Sequence, residues 1–248
     1  MKVTMYTTAL VATKARRLPR YLGATLVMGG AALVAPGVPS VSAQPCPDVE
    51  VVFARGTGEP PGVGGIGQSF VDALQAKVGE RSFAVYPVNY AASSDLGGGV
   101  DFARTVVDGI RDAGNHIENT AANCPNTRIV LGGFSQGAAL AGYTTSAEIP
   151  KEVPAAYLAY IPQPMPPSVA NHVAAVVLFG TPSAEFLSPN GAPPVRIGPL
   201  YASKALELCA DGDTICNGAP AGGPPLAHAS YGVNGMTEQG AEYAAAHL

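Results

Sequence analysis

The sequence contains no apolar run long enough to cross a membrane comfortably. Its apolar N-terminal stretch, residues 21–34, has about 14 residues, whereas a transmembrane helix needs about 20. Basic residues, including the pair Arg16 and Arg17, precede this stretch, and small residues follow it up to Ala43. This arrangement is typical of a secretory signal. We predict a signal peptide over residues 1–43 and a secreted, extracellular protein; whether it stays associated with the cell envelope is left open. A membrane anchor is the alternative, and the arginine pair leaves a twin-arginine route open beside ordinary secretion.

The chain also lacks an excess of positive charge. It carries 14 Lys and Arg against 18 Asp and Glu, a formal net charge of −4. Removal of the predicted signal, which holds five basic and no acidic residues, leaves 9 against 18, a net charge of −9. Nucleic acids and anionic membrane surfaces are therefore poor candidate partners. With 47% hydrophobic and 13% charged residues, the composition is globular, and the length suits one α/β domain or two small ones.

Zinc-site spacing of cysteine and histidine is also missing. The four cysteines are Cys46, Cys124, Cys209 and Cys216, and no histidine accompanies them at a ligand spacing. An even number of cysteines in an exported chain favours two disulfides, with three possible pairings. Proximity in sequence favours Cys209–Cys216, which leaves Cys46–Cys124. No metal or organic cofactor is expected.

No internal repeat is present; instead, short apolar runs alternate with helical patterns. We predict strands in residues 48–60, 82–90, 128–132, 172–182 and, more weakly, 195–201. We predict helices over residues 66–78 and 99–124, after Ser135, and over 238–248. Continuous apolar strands alternating with helices indicate a parallel sheet with both faces covered. The predicted fold is a three-layer α/β/α sandwich with a mostly parallel central sheet, one domain over residues 44–248.

A proline-rich segment interrupts this alternation. Residues 148–171 contain six prolines, which predict an ordered loop. The segment could shape a substrate cleft, but we favour a rigid surface connector.

Function in a parallel α/β sheet lies at the carboxyl ends of the strands. One of three glycine-rich turns at these ends is Gly133-Phe134-Ser135-Gln136-Gly137, which fits the pattern G-x-S-x-G. A sharp strand-to-helix turn needs small residues beside the serine and exposes its oxygen near the N-terminus of a helix. The free backbone N–H of Gln136 could then receive an oxyanion. Five residues alone are a weak signal, but the position between a strand and a helix favours Ser135 as a nucleophile.

A serine nucleophile needs a base, and the order serine, acid, histidine favours His228. His228 lies in a Gly/Pro-rich loop, and the other histidines are less well placed. The acid should lie between the serine and this histidine. Asp211 and Asp213 lie inside the predicted Cys209–Cys216 loop, which could aim a carboxylate at the imidazole. The residues alone do not choose between these two aspartates.

Four separated motifs, "FARGTGEP", "GGFSQGA", "GDTIC" and "LAHASYG", together with the four cysteines, resemble the cutinase family, with the closest likeness to secreted mycobacterial members. The resemblance covers nearly all of residues 46–248. It implies a lidless, minimal α/β-hydrolase with two disulfides, with Ser135 as nucleophile, Asp213 as acid and His228 as base. It also implies an oxyanion hole formed by Gln136 and Thr57.

The sequence departs from the family pattern at two places. The segment 148–171 is longer than in fungal cutinases, which could alter substrate access, and Phe134 stands where tyrosine is common, which should be neutral.

The resemblance implies a secreted serine esterase that hydrolyses carboxylic esters of fatty acids, including small-molecule and lipid esters, through an acyl-enzyme. We expect a monomer without a stable membrane span. An acyltransferase of the same fold is one alternative, since the triad does not encode the choice between water and an alcohol. A non-enzymatic secreted surface or binding protein is the other; a missing triad residue would favour it, and none is missing.

Overall fold

The computed structural model describes residues 45–219 and 226–248. The predicted signal peptide over residues 1–43 lies outside this part of the chain and stays a prediction. Within the described part, no helix combines the length and the apolar character that a membrane span requires.

A five-stranded parallel sheet forms the centre of the fold. Its strands follow in spatial order β2-β1-β3-β4-β5, and each pairs with its neighbour in parallel. The strands are β1 (Val49–Ala54), β2 (Phe83–Pro87), β3 (Arg128–Phe134), β4 (Val173–Phe179) and β5 (Ala205–Leu208). Every residue of β1 and β4 is buried, as expected of inner strands covered on both faces.

Helices cover both faces of the sheet. They are α1 (Gly64–Val78), α2 (Val100–Asn123), α3 (Gln136–Thr144), the short α4 (Ala184–Leu187) and α5 (Pro199–Ala202), and α6 (Met236–Ala246). Successive side chains of a strand point to opposite faces, so Val51 and Phe53 pack with α1 and α6, while Val52 and Ala54 pack with α2 and α3. The predicted three-layer α/β fold is confirmed.

The predicted weak strand at residues 195–201 is wrong. Its last part belongs to α5, because Pro199 lacks a backbone N–H for a sheet and occupies the first position of a helix. Gly198, just before it, lies so close to Thr145 that an added Cβ would come within 2.1 Å of the Thr145 carbonyl oxygen. The edge strand is instead β5, four residues that pair with β4.

Two disulfides link distant or irregular parts of the chain. Cys46, before β1, is bonded to Cys124, at the end of α2, across a sequence separation of 78. Cys209 and Cys216 close a loop after β5. The first bond fixes the end of α2 at the amino edge of the sheet, and the second constrains a loop at the carboxyl edge.

Candidate active site

Ser135 occupies a strained turn between β3 and α3. Its backbone has φ 55° and ψ −118°, a conformation that a residue with a side chain rarely adopts. The turn is tight enough that an added Cβ at Gly133 would lie 2.2 Å from the carbonyl oxygen of Gly137. An added Cβ at Gly137 would lie 2.0 Å from the carbonyl oxygen of Ala54. The two glycines are therefore required sterically, and they let the serine side chain stand at the end of the strand.

His228 bridges Ser135 and Asp213. Its Nε2 atom lies 2.8 Å from the Ser135 Oγ, and its Nδ1 atom lies 2.8 Å from the Asp213 Oδ2. The imidazole side chain is 13% exposed and the Asp213 side chain is fully buried. The ring of Phe134 packs against the imidazole, with centroids 4.9 Å apart. Three residues from three separate segments thus form one continuous hydrogen-bonded chain.

Asp213 is held by two further donors. The Ile215 N–H donates to Oδ1 at 2.9 Å, and the Tyr231 hydroxyl donates to Oδ2 at 2.7 Å. Tyr231 is itself fully buried, and burial raises the pKa of its hydroxyl, which keeps it protonated as a donor. Asp211, the other sequence candidate, is exposed. A buried carboxylate with these two donors has its orientation fixed independently of the imidazole.

The loop that carries Thr57 is fixed by residues that the sequence analysis missed. The Glu59 carboxylate accepts from the Gly56 N–H at 2.6 Å and from the Gly65 N–H at 2.7 Å. The buried Arg55 donates to the Glu59 carbonyl oxygen at 2.8 Å and to the Tyr90 carbonyl oxygen at 2.6 Å. The contact between Arg55 and Tyr90 spans a sequence separation of 35 and therefore leaves no local signal in the sequence. The one available signal is Arg55 itself, because a charged residue is unusual inside an otherwise apolar and glycine-rich stretch.

Gln136 begins α3 directly after Ser135, so its backbone N–H has no partner within the helix. Its side-chain amide donates to the Ser93 carbonyl oxygen at 3.1 Å. This bond anchors the segment before α2 to the start of α3. Thr57, Ser135 and Gln136 line the same cavity, which brings the predicted oxyanion residues to the predicted nucleophile.

The cavity that contains Ser135 and His228 has a volume of about 1160 Å³. That exceeds the usual range of about 300–1,000 Å³ for ligand sites. Most of residues 148–165 line it, which favours the alternative that this segment shapes a substrate cleft; the preference for a rigid surface connector stays untested. α2 and α3 leave an apolar groove between them, and Ile149, Tyr157 and Met165 face that groove.

The remaining histidines lie away from this chain of hydrogen bonds. His116, on α2, lies 3.0 Å from the Glu50 carboxylate and stacks on Tyr86. His247, at the end of α6, contacts the Tyr243 carbonyl oxygen at 2.8 Å. These contacts support the fold rather than the site.

One potential metal-ligand group occurs beside the site. Cys209, Asp213 and Cys216 place their sulfur and carboxylate atoms within 4.8 Å of one another. Both sulfur atoms are joined in the disulfide and cannot act as thiolate ligands. The donor set therefore does not fit a metal ion.

Comparison with known proteins gives consistent matches along most of the chain. A profile of the cutinase family matches residues 45–248. The chain is 58% identical over 173 residues to the probable carboxylesterase Culp7 of Mycobacterium tuberculosis, covering 70% of this chain and 89% of that protein. It is 46% identical over 236 residues to the carboxylesterase Culp1 of Mycobacterium bovis, covering 94% of this chain and 97% of that protein.

Two solved structures of other proteins also resemble this chain. A Trichoderma reesei cutinase in complex with a phosphonate inhibitor is 30% identical, with a TM-score of 0.56, over 81% of this chain and 76% of that chain. The catalytic core domain of acetyl xylan esterase from Trichoderma reesei, at 24% identity and a TM-score of 0.64, shares the fold over 82% of this chain and 100% of that chain. The protein described here is a member of the cutinase family.

Proposed function

We propose that this protein is a secreted serine esterase that hydrolyses carboxylic esters through an acyl-enzyme on Ser135. Relatives named carboxylesterase and membership of the cutinase family indicate a carboxylic ester hydrolase. The observation that carries the proposed mechanism is the chain of contacts from the Ser135 Oγ through His228 to the buried Asp213 carboxylate. This arrangement can remove a proton from the serine and stabilise the imidazolium that results.

The first half of the proposed reaction forms the acyl-enzyme. The Ser135 Oγ attacks the ester carbonyl carbon while its proton passes to the His228 Nε2, and a tetrahedral oxyanion results. Collapse of this intermediate breaks the bond to the alkoxy oxygen, which takes the proton from His228 and leaves as the alcohol. Asp213 keeps the imidazole in the tautomer that presents Nε2 to the serine.

The second half releases the acid. A water molecule loses a proton to His228 and attacks the acyl carbon, and the proton returns to Ser135 as the acyl–oxygen bond breaks. In both halves the oxyanion is stabilised by the backbone N–H of Gln136 and by Thr57. Support for these roles comes from the free first-turn N–H of α3 and from the fixed loop around Thr57.

Esters with an apolar acyl part are the proposed substrates. The cavity around Ser135 is lined by apolar side chains of α2 and of residues 148–165. Removal of apolar surface from water contributes about 0.8 kcal/mol for each buried methylene group, so a fatty acyl chain gains affinity there. Secretion is proposed because two disulfides suit an oxidising compartment and the N-terminus resembles a secretory signal.

The test is hydrolysis of p-nitrophenyl esters by the wild type and by Ser135→Ala. We expect turnover by the wild type and a fall of at least about a thousandfold in the variant. Ser203→Ala is the matched control, because Ser203 is exposed and lies outside the cavity. A folded wild-type protein that hydrolyses none of the esters contradicts the proposal. If turnover rises when an alcohol acceptor is added and the product is the new ester, acyl transfer replaces hydrolysis as the function.

A further inference from the structure

The two oxygens of the Asp213 carboxylate accept hydrogen bonds from different donors. Oδ1 accepts from the Ile215 N–H at 2.9 Å. Oδ2 accepts both from the His228 Nδ1–H, at 2.8 Å, and from the Tyr231 hydroxyl, at 2.7 Å. Because the Asp213 side chain is fully buried, Oδ2 is out of contact with bulk water, and these two donors share its negative charge. The proposed base and the tyrosine therefore compete for one oxygen atom.

Tyr231 is oriented so that its hydroxyl proton points to Asp213. The Ala210 N–H donates to the Tyr231 hydroxyl oxygen at 3.0 Å, which leaves the one hydroxyl proton to donate to the carboxylate. The Tyr231 ring lies edge-on to the His228 imidazole, with centroids 6.3 Å apart and an interplanar angle of 89°. At Gly180, an added Cβ would lie 3.1 Å from both the tyrosine hydroxyl oxygen and the imidazole Cε1. The hydroxyl thus has a fixed position beside the imidazole.

We propose that Tyr231 is a positioning residue that limits the basicity of His228 by sharing the Asp213 Oδ2 atom, which extends activity toward mildly acidic pH. The hydroxyl proton withdraws negative charge from Oδ2. Less of this charge is then left to stabilise the imidazolium, so the imidazole stays neutral at a lower pH. Only the neutral imidazole can accept the proton of Ser135. This proposal rests on the proposed esterase function for its kinetic readout.

The other charged side chains around the imidazole are bonded elsewhere or exposed to solvent. Glu59 lines a small cavity together with His228, but each of its carboxylate oxygens accepts from a backbone N–H. Asp211, on the same loop as Asp213, and Glu185, on α4, are exposed, so solvent and salt screen their charges. The uncharged neighbours of the imidazole on β3, α1 and the end of β4 are Phe134, Ile66 and Gly180. Tyr231 is therefore the neighbour through which the charge at Oδ2 is adjusted.

Tyr231→Phe tests the proposal, because it removes the hydroxyl proton and keeps the ring. The readout is the pH dependence of kcat/KM for p-nitrophenyl butyrate, whose acid limb reports the base of the free enzyme. We expect this limb to move to higher pH by at least about half a unit, because Oδ2 then stabilises the imidazolium with more of its charge.

Tyr201→Phe is the matched control, since Tyr201 is a buried tyrosine on α5 that lies outside both cavities. It should leave the acid limb in place. The plateau of kcat/KM can fall in Tyr231→Phe for purely structural reasons, so the position of the limb decides. An acid limb of Tyr231→Phe at the wild-type pH, or at a lower pH, overturns the proposal.

Replacement of Tyr231 by meta-fluorotyrosine separates charge sharing from packing. The fluorine makes the phenol a stronger hydrogen-bond donor, while the ring and the hydroxyl remain. Burial raises the pKa of this hydroxyl, which keeps the fluorinated phenol protonated during the assay. The acid limb should move to lower pH than in the wild type, opposite to its movement in Tyr231→Phe. A structural role alone predicts no such reversal, and a limb that stays in place or moves to higher pH contradicts charge sharing.

The last readout does not require ester hydrolysis. The imidazole signals of His228 are followed by NMR during a pH titration of protein with isotope-labelled histidine, and His228→Gln identifies them. The midpoint of this titration should rise in Tyr231→Phe and fall with meta-fluorotyrosine, even if the protein hydrolyses no ester. Equal midpoints in the wild type and both variants overturn the proposal even if hydrolysis is efficient.

Discussion

Replacement of Glu59 by glutamine should reduce turnover, although Glu59 does not contact the proposed nucleophile. Its carboxylate accepts from two backbone N–H groups, at Gly56 and Gly65, and so fixes the loop on which Thr57 lies. A glutamine side chain has one oxygen and one NH₂ group, and the NH₂ group cannot accept a hydrogen bond. One of the two N–H groups is then left without its partner.

The magnitude follows from these two bonds. A hydrogen bond to a charged group contributes about 1.5–3 kcal/mol, so the free energy of unfolding should fall by about that amount. Complete loss of one oxyanion donor lowers kcat by about 10²–10³. Displacement of the Thr57 loop should cost less than complete loss, and we expect kcat to fall about tenfold to hundredfold. KM should stay within about twofold, because Glu59 is not part of the groove between α2 and α3.

The assay is steady-state hydrolysis of p-nitrophenyl butyrate, together with urea unfolding of the same samples. Glu80→Gln is the matched control, because Glu80 is an exposed glutamate just after α1 and outside the cavity. A variant that loses stability but keeps the wild-type kcat would refute the reasoning. Glu59 would then support the fold without positioning the oxyanion residue.

Three further outcomes are expected. Tyr231→Phe removes a donor to the buried Asp213 and should lower the free energy of unfolding by about 2 kcal/mol in urea titration; a change below about 0.5 kcal/mol contradicts this. Asp213→Asn should lower kcat by about 10³–10⁴ with little change in folding by circular dichroism, and a loss under tenfold argues against its role. The double variant Cys46→Ser and Cys124→Ser should lose about 4 kcal/mol of stability, and equal urea midpoints for variant and wild type contradict this.

The central parts of the fold are predictable from sequence because they are buried on both faces. β1 and β4 appear as continuous apolar runs, and the helical spacing in residues 66–78 and 99–124 matches α1 and α2 within two residues at each end. The edge strand β5 was missed, since four residues with a glutamate among them give no clear apolar run.

Local patterns also identify the turn at Ser135, because its geometry depends on neighbouring glycines.

The interactions that support the site depend on residues far apart in sequence. Tyr231 and Asp213 are separated by 18 residues, and Arg55 and Tyr90 by 35. Similarly, the sequence offered a cleft-shaping role for residues 148–171 only as the less favoured alternative, because the attachment of this segment to α2 pairs Tyr160 with Asp108 across 52 residues. Tertiary contacts of this kind leave no periodic signal.

The proposed acyl-enzyme on Ser135 is tested most directly by labelling with diethyl p-nitrophenyl phosphate. The reagent transfers its diethylphosphoryl group to an activated serine oxygen and releases p-nitrophenolate. The account predicts one phosphoryl group per chain, located at Ser135 by peptide mass spectrometry, with esterase activity lost in proportion to labelling. Full labelling at another residue, or ester hydrolysis that persists after Ser135 is completely labelled, would contradict it.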